Sequence, residues 1–206
     1  MPITIQDSTV IAGPTTIPFI DFPKWHAHHL NRYSTTPALE QEGSTLMQAD
    51  FGFTELYNFI LGVCKWGRRA GIAVRVRNAN EEDTITKNFR EAVEVLSGNT
   101  NPEEAPMKAL TCLNRIKCLG RPSFASKHLR FLRPDICAIL DSLQSRNLKY
   151  RLKAEGYREI SNDCRAVAAH LNREGPQLPS GRQWGAADAE MSIFACLYGA
   201  NWGRDV

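Results

Sequence analysis

Apolar residues recur at helical spacing along most of this chain, with short polar breaks between the periodic stretches. They return every three or four positions over Phe53–Trp66, Glu81–Leu96 and Pro102–Leu119, which is the pattern of one buried helix face. Further helices are predicted near 23–33, 123–132, 142–155, 157–173 and 186–198. Residues 71–80 instead alternate apolar and polar side chains with a period of two, which predicts a strand. The fold class is therefore predicted to be mostly α.

The first 20 residues are rich in Thr, Ile and Pro and have no helical period, which predicts a short extended arm. The remainder, 21–206, is predicted to be a single helical domain built as one lobe or two. No apolar run approaches the roughly 18 residues that a membrane helix needs. A basic leader before an apolar core is also missing, so no secretory signal is expected. We expect a cytoplasmic monomer without a membrane segment.

The cysteines and histidines do not form a recognisable metal site. None of the six cysteines belongs to a CxxC pair, which argues against zinc and against a disulfide framework. We interpret them as reduced side chains that pack as small hydrophobes. The HAHH stretch at 26–29 is interpreted as partly exposed surface, because no third ligand is identifiable on the same helix face. We therefore predict no metal.

The net charge is only +3, but the basic residues are concentrated in two segments. Residues 105–134 hold seven Lys and Arg and no Asp or Glu, and residues 65–77 hold five basic residues and no acid. A nearly neutral chain with basic segments is expected to hold a polyanion locally. The alternative is an α-helical interaction protein whose basic segments are ordinary solvated surface.

A break between two predicted helices lies inside the first basic segment. One helix is predicted to end at Leu119, where Gly120 allows a left-handed turn, and Pro122 suits the first turn of the next helix. The free N–H groups at a helix N-terminus bind a phosphate without reading a base. We therefore predict a helix–turn–helix element at about 108–133 that contacts DNA phosphates. The predicted contacts are Lys117, Gly120, Arg121, Ser123, Ser126 and Arg130.

Lys127 lies at the edge of the apolar stripe of the second helix, one turn from both Phe124 and Phe131. Partial desolvation by aromatic neighbours lowers the pKa of a lysine, and a neutral amine is what imine chemistry requires. The alternative is a lysine that lays its stem along apolar surface and keeps its charge in water. Asp141 begins a helix in a capping-box pattern with Gln144, and capping alone would account for it. A rigid carboxylate is also suited to stabilising a cationic transition state.

The segment SFASKHLRFLRPDICAILDS at 123–142 resembles the helix-hairpin-helix DNA glycosylase superfamily, especially its 8-oxoguanine DNA glycosylase-like bacterial branch. In that superfamily a catalytic lysine follows the hairpin, and a catalytic aspartate follows at a distance that the 21 residues from Gly120 to Asp141 match. Lys127 lies further beyond its hairpin glycine than the family pattern has it, and Cys118 takes the position of the first hairpin glycine. The four-cysteine iron–sulfur loop of some members is absent.

The resemblance implies a helix-hairpin-helix glycosylase fold in which Lys127 and Asp141 are catalytic. It implies a DNA glycosylase, with abasic-site (AP) lyase activity, that flips a modified base out of double-stranded DNA without a metal or organic cofactor. Such a protein is expected in the cytoplasm with the nucleoid. Candidate residues of the base pocket are Trp66, Phe124, Trp184 and Asp188.

Two questions of function stay open at this stage. The resemblance makes an oxidised purine the default substrate, whereas a hypermodified cytosine in phage DNA, as part of a defence system, is the alternative. A non-catalytic DNA-binding protein that keeps the hairpin but has lost the chemistry is the competing class. The choice among these depends on side-chain geometry and on the chemistry of the pocket.

Overall fold

The computed structural model describes residues 2–98 and 101–199, and within them the chain is mostly helical, as predicted. None of the helices in these residues is long and apolar enough to cross a membrane. The helices are α1 (Phe22–Arg32), α2 (Thr36–Gln48), α3 (Phe53–Trp66), α4 (Gly71–Ala79), α5 (Glu82–Ser97), α6 (Ala105–Leu113), α7 (Pro122–Leu132), α8 (Ser142–Leu148), α9 (Ala154–Glu174) and α10 (Ala186–Tyr198).

The N-terminal segment is extended, but it is packed rather than free. It forms an antiparallel sheet of β1 (Thr4–Gln6), β2 (Thr9–Ala12) and β3 (Thr15–Pro18) in the order β1-β2-β3. Val10 pairs with Ile17, and both side chains are buried, while β3 lies against α10. The expected arm is therefore a small sheet that covers part of the helical core. Two-residue turns allow strands this short to pair.

The prediction of a strand at 71–80 is wrong, because this segment forms α4. Ile72, Ala73 and Val76 are buried on one side of the helix, while Val74 is exposed. Residues four positions apart share a helix face, so a short period-two pattern also satisfies a helix. The core, rather than the local pattern, decides between the two structures here.

Helix α2 has no counterpart among the predicted elements, because its sequence TPALEQEGSTLMQ is largely polar. It nevertheless packs tightly on α7. A Cβ at Gly43 would lie 2.1 Å from the backbone oxygen of Phe131, so only glycine permits this approach. Helix α7 consequently has neighbours on several sides, including α2, α3, α6 and α9.

The connection between α6 and α7 differs in detail from the prediction. Helix α6 ends at Leu113, and the chain reaches α7 through turns rather than through a helix that continues to 119. The residue in the left-handed region is Cys118, with φ of 69°, and not Gly120. Gly120 is required for a different reason, since a Cβ there would lie 2.5 Å from the backbone oxygen of Asn114.

Candidate functional site

A pocket of about 660 Å³ opens where α1, α3, α7, α8 and α10 approach one another. It has an apolar wall, a cluster of ionisable groups and a basic rim. The residues that line it are His29, Tyr33, Trp66, Gly67, Arg68, Arg69, Arg121, Pro122, Ser123, Phe124, Lys127, Ile139, Asp141, Ser142, Leu143, Gln144, Leu152, Glu190 and Phe194. Six of the residues predicted from the sequence meet here: Trp66, Arg121, Ser123, Phe124, Lys127 and Asp141.

Lys127 projects into this pocket from the middle of α7, with its side chain only 16% exposed. Its Nζ donates a hydrogen bond to the backbone oxygen of Ser123 at 2.9 Å and lies 3.6 Å from Oδ2 of Asp141. Burial lowers the pKa of Lys127 below its ordinary value of 10.5, and this effect outweighs the opposing attraction of Asp141 and Glu190. The pocket therefore favours the neutral amine more than water does.

The two carboxylate oxygens of Asp141 have different partners, one in a helix cap and one in the pocket. Oδ1 accepts hydrogen bonds from the backbone N–H groups of Leu143 at 3.0 Å and Gln144 at 3.1 Å, which caps the N-terminus of α8. Oδ2 is the oxygen that faces Lys127. The cap fixes the side chain, so the second oxygen is held beside the lysine without further restraint. Capping and a role in the site are thus compatible in this structure.

Aromatic side chains form one wall of the pocket. The rings of His29 and Tyr33 stack with centroids 4.6 Å apart, and Tyr33 is 4.9 Å from Trp66. The indole N–H of Trp66 donates to Oγ1 of Thr36 at 2.9 Å, which fixes the orientation of the ring. Phe124 and Phe194 also line the pocket. Such a wall suits a planar, partly apolar ligand, because stacking tolerates any aromatic ring.

Glu190, which the sequence analysis did not select, is the most unusual group in the pocket. It is almost fully buried on α10, and the side-chain amide of Gln144 donates to its Oε1. Burial raises its pKa to about 8, against the lowering effects of Arg130 and of the Gln144 hydrogen bond. The available signal was an isolated Glu in the otherwise apolar run AEMSIFACLY, where a solvated charge is not expected.

The rim of the pocket carries the exposed arginines Arg68, Arg69 and Arg121. Arg68 adopts a left-handed backbone conformation, with φ of 56°, in the turn between α3 and α4. Arg121 precedes α7, whose N-terminus also borders the pocket through Ser123. The two basic segments of the sequence therefore converge on one opening. Cationic side chains and free N–H groups make this rim suited to phosphate.

Two residues predicted to contact phosphates are buried instead. Ser126 accepts a hydrogen bond at its Oγ from the backbone N–H of Leu140 at 3.2 Å, which ties α7 to the chain before α8. Arg130 is 0% exposed, lies 2.8 Å from Glu40 and stacks its guanidinium 4.3 Å from the ring centroid of Phe131. Neither side chain reaches the surface, because α2 and the core cover the face of α7 that the sequence marks as polar.

Trp184 and Asp188, which the sequence analysis assigned to a base pocket, do not line this pocket. Trp184 is buried against Phe22, with ring centroids 6.1 Å apart, and does not line the pocket. Asp188 is fully buried, lies 3.0 Å from Nε2 of His26 and 2.6 Å from NH1 of Arg182, and holds the N-terminus of α10. Asp188 lies on the side of α10 opposite Glu190 and Phe194 and stabilises the start of the helix, whereas Trp184 precedes α10 and packs in the core.

The remaining predicted residues lie away from the pocket. Lys117 is exposed, and its backbone N–H donates to Oδ1 of Asn80 at 2.9 Å. The HAHH stretch is less exposed than expected, because His26 and His29 are buried and only His28 is at the surface. Across the described residues no group of His, Cys, Asp or Glu is arranged to hold a metal ion.

Comparison of the chain with protein-family models, with curated proteins and with solved structures finds no match in any of the three. The case for a function therefore depends on the pocket itself. Its distinguishing features are a desolvated lysine beside a fixed carboxylate, an aromatic wall and a basic rim. Each of these has a definite chemical use.

Proposed function

We propose that this protein is a DNA glycosylase of the helix-hairpin-helix type that excises a modified base and also has AP lyase activity. The observation that carries the proposal is the 3.6 Å approach of Lys127 Nζ to Asp141 Oδ2 inside an aromatic pocket. A buried lysine with a lowered pKa is a nucleophile, and a carboxylate beside it stabilises positive charge. The pocket has the planar, apolar wall that a flipped base requires.

In this mechanism the neutral Lys127 amine attacks C1′ of the flipped nucleotide. The bond between C1′ and the base breaks, its electron pair goes to the base nitrogen, and the base takes the proton that the attacking amine releases. Asp141 stabilises the positive charge that develops at the sugar. The bond between C1′ and O4′ then breaks, O4′ takes a proton from water, and an iminium ion remains on Lys127. Transfer of a C2′ proton to water and departure of the 3′ phosphate with the C3′–O electron pair cleave the strand.

The DNA contacts in this proposal come from the rim. Arg68, Arg69 and Arg121 bind phosphates on either side of the flipped nucleotide, and the N-terminus of α7 adds N–H donors. The turn between α6 and α7 supports the resemblance to the helix-hairpin-helix superfamily, since Cys118 adopts the left-handed conformation at the position of the first hairpin glycine. The substrate is double-stranded DNA, with an oxidised purine or a hypermodified cytosine as the candidate base.

Borohydride trapping on a duplex with a single abasic site tests this function directly. Wild-type protein is expected to form a covalent adduct, because borohydride reduces the iminium ion to a stable amine. Lys127→Gln should abolish the adduct while DNA affinity stays within about tenfold, since one lost contact costs little. Lys117→Gln is the matched control, because this exposed lysine lies outside the pocket.

The same experiment separates the competing classes. Salt-dependent DNA binding with neither an adduct nor base release on any abasic or modified duplex would make the protein a non-catalytic DNA-binding module. The absence of DNA binding would favour an interaction protein with a basic surface. An adduct that survives Lys127→Gln would show that another amine is the nucleophile.

A further inference from the structure

Within the part of the chain that the structure describes, two buried polar atoms of pocket-lining residues have no hydrogen-bond partner. The amide nitrogen of Gln144 donates to Oε1 of Glu190, which leaves Oε2 of Glu190 and Oε1 of Gln144 unpaired among the described residues. Both side chains are almost fully buried, and both line the pocket. Buried polar atoms are normally paired in native proteins, so two adjacent exceptions in a pocket wall indicate a ligand that supplies the missing partners.

The charge state of Glu190 sets the pattern that this pair presents. Burial raises the pKa of Glu190 to about 8, against the lowering effects of Arg130 and Lys127. At neutral pH the side chain is therefore a carboxylic acid. Because Oε1 accepts from Gln144, the proton is placed on Oε2. The pair then offers one O–H donor and, beside it, one amide oxygen acceptor.

We propose that Glu190 and Gln144 read the edge of the flipped base and select bases with a ring-nitrogen acceptor next to an exocyclic amino group. This inference rests on the proposed function, and it names cytosine- and adenine-type bases as the substrate class. The ring nitrogen accepts from the Glu190 O–H, and the amino group donates to Oε1 of Gln144. In the same register, an edge of the uracil or hypoxanthine type presents an N–H donor to the Glu190 O–H and a carbonyl acceptor to Oε1 of Gln144, so neither hydrogen bond forms.

Guanine-type edges are disfavoured in the same register, because their ring N–H points a donor at the Glu190 O–H and that hydrogen bond is not made. Between the two candidate substrates, the pair therefore favours a cytosine-type base over an oxidised guanine. The volume of the pocket, about 660 Å³, exceeds that of a single base, so the remaining space can hold a substituent on that base.

Matched duplexes test the edge without a change in base shape. One pair carries 5-methylcytosine or thymine, and the second carries adenine or hypoxanthine, each opposite an abasic analogue so that neither base is paired. The test nucleotides are 2′-fluoroarabino derivatives, which slow excision, so that equilibrium binding is measured in excess unmodified competitor DNA. The protein is expected to bind the cytosine and adenine members at least about tenfold more tightly than their partners. Equal binding, or the reverse preference, would overturn the proposal.

Variants connect this preference to the two side chains. Glu190→Gln keeps a donor and an acceptor in place and should retain the preference. Glu190→Met removes both, so the ratio of the two affinities within each pair of duplexes should fall to about one. Gln144→Met is a second disruption, used if Glu190→Met does not fold in a thermal melt. A preference that persists in a folded methionine variant would assign the reading to other groups.

Borohydride trapping on abasic DNA distinguishes this inference from the proposed function. The abasic site has no base, so the adduct reports Lys127 chemistry independently of base reading. An adduct without edge preference overturns only the reading pair. Edge preference without an adduct retains the reading pair and overturns the covalent role of Lys127 in the proposed function.

Discussion

Lys127 Nζ lies 3.6 Å from Oδ2 of Asp141, while the other oxygen of the same carboxylate caps α8. This relationship ties a reactive group to the start of a helix. It also sets two opposing effects on the lysine, because burial lowers its pKa and the carboxylate raises it. Since burial has the larger effect, the pocket favours the neutral amine more than water does, and in the proposed mechanism the nearby carboxylate stabilises the cation that develops at the sugar.

Replacement of Asp141 by Asn should separate capping from chemistry. The amide keeps most of the cap, so the free energy of unfolding should fall by no more than about 1 kcal/mol. Base excision in single turnover should collapse, because the charge that stabilises the sugar cation is lost. If Asp141→Asn excises at the wild-type rate, Asp141 is a cap and nothing more.

The same variant should change the pH dependence of imine formation. Asp141 raises the pKa of Lys127, so its removal lowers that pKa further and increases the neutral fraction at a given pH. The midpoint of borohydride trapping on abasic DNA, followed against pH, should therefore move to lower pH in Asp141→Asn. A midpoint that moves upward would contradict the assigned electrostatics.

Removal of Arg69 and Arg121 together should weaken binding to all DNA sequences alike. These exposed residues lie on the pocket rim, and each neutralised phosphate contributes about 0.9 to the slope of log affinity against log salt. The magnitude of this slope, measured by titration at several salt concentrations, should fall by the amount that about two phosphate contacts contribute. Arg173→Gln on α9, an exposed arginine outside the pocket, is the control and should leave the slope in place.

Arg130 should behave differently from the rim arginines, because its guanidinium is buried and paired with Glu40 at 2.8 Å. Arg130→Met should destabilise the protein by about 3 kcal/mol in chemical denaturation, since it removes the nearer cationic partner of Glu40 and leaves only Arg182, at 4.0 Å. The Arg130→Met variant, where it folds, should keep the wild-type salt dependence of DNA binding. If the variant has unchanged stability and its DNA affinity depends less steeply on salt, Arg130 contacts DNA and is not a buried structural residue.

Glu190 should make the stability of the protein depend on pH in a definite direction. Its pKa is raised from 4.5 to about 8 on folding, so its contribution to stability is fully present below about pH 4.5 and is lost as the pH rises to about 8. Glu190→Gln cannot ionise and should therefore gain stability over wild type at pH 8 relative to pH 5. Denaturation curves of both proteins at the two pH values measure this difference. If the free energy of unfolding changes equally in both proteins between pH 5 and pH 8, the pKa of Glu190 is near its ordinary value.

The sequence by itself determines the elements whose cues are local. The apolar period of α3 matches its bounds at Phe53–Trp66, and the proline near 122 and the capping pattern at Asp141 mark helix starts that the structure reproduces. Lys127 and Asp141 meet because both belong to one short segment, folded back by a single turn. Local periodicity and caps depend on near neighbours in the chain, and a sequence displays them directly.

Tertiary structure decides which side of a helix faces the site. Helix α10 is apolar nearly all round, so its sequence does not indicate that Glu190 lines the pocket while Asp188 faces away. Helix α7 has a polar side in its sequence, yet α2, admitted by Gly43, covers that side and buries Arg130. These outcomes depend on contacts between residues far apart in the chain. Burial is a property of the assembled core, and no periodicity within one helix specifies what will cover it.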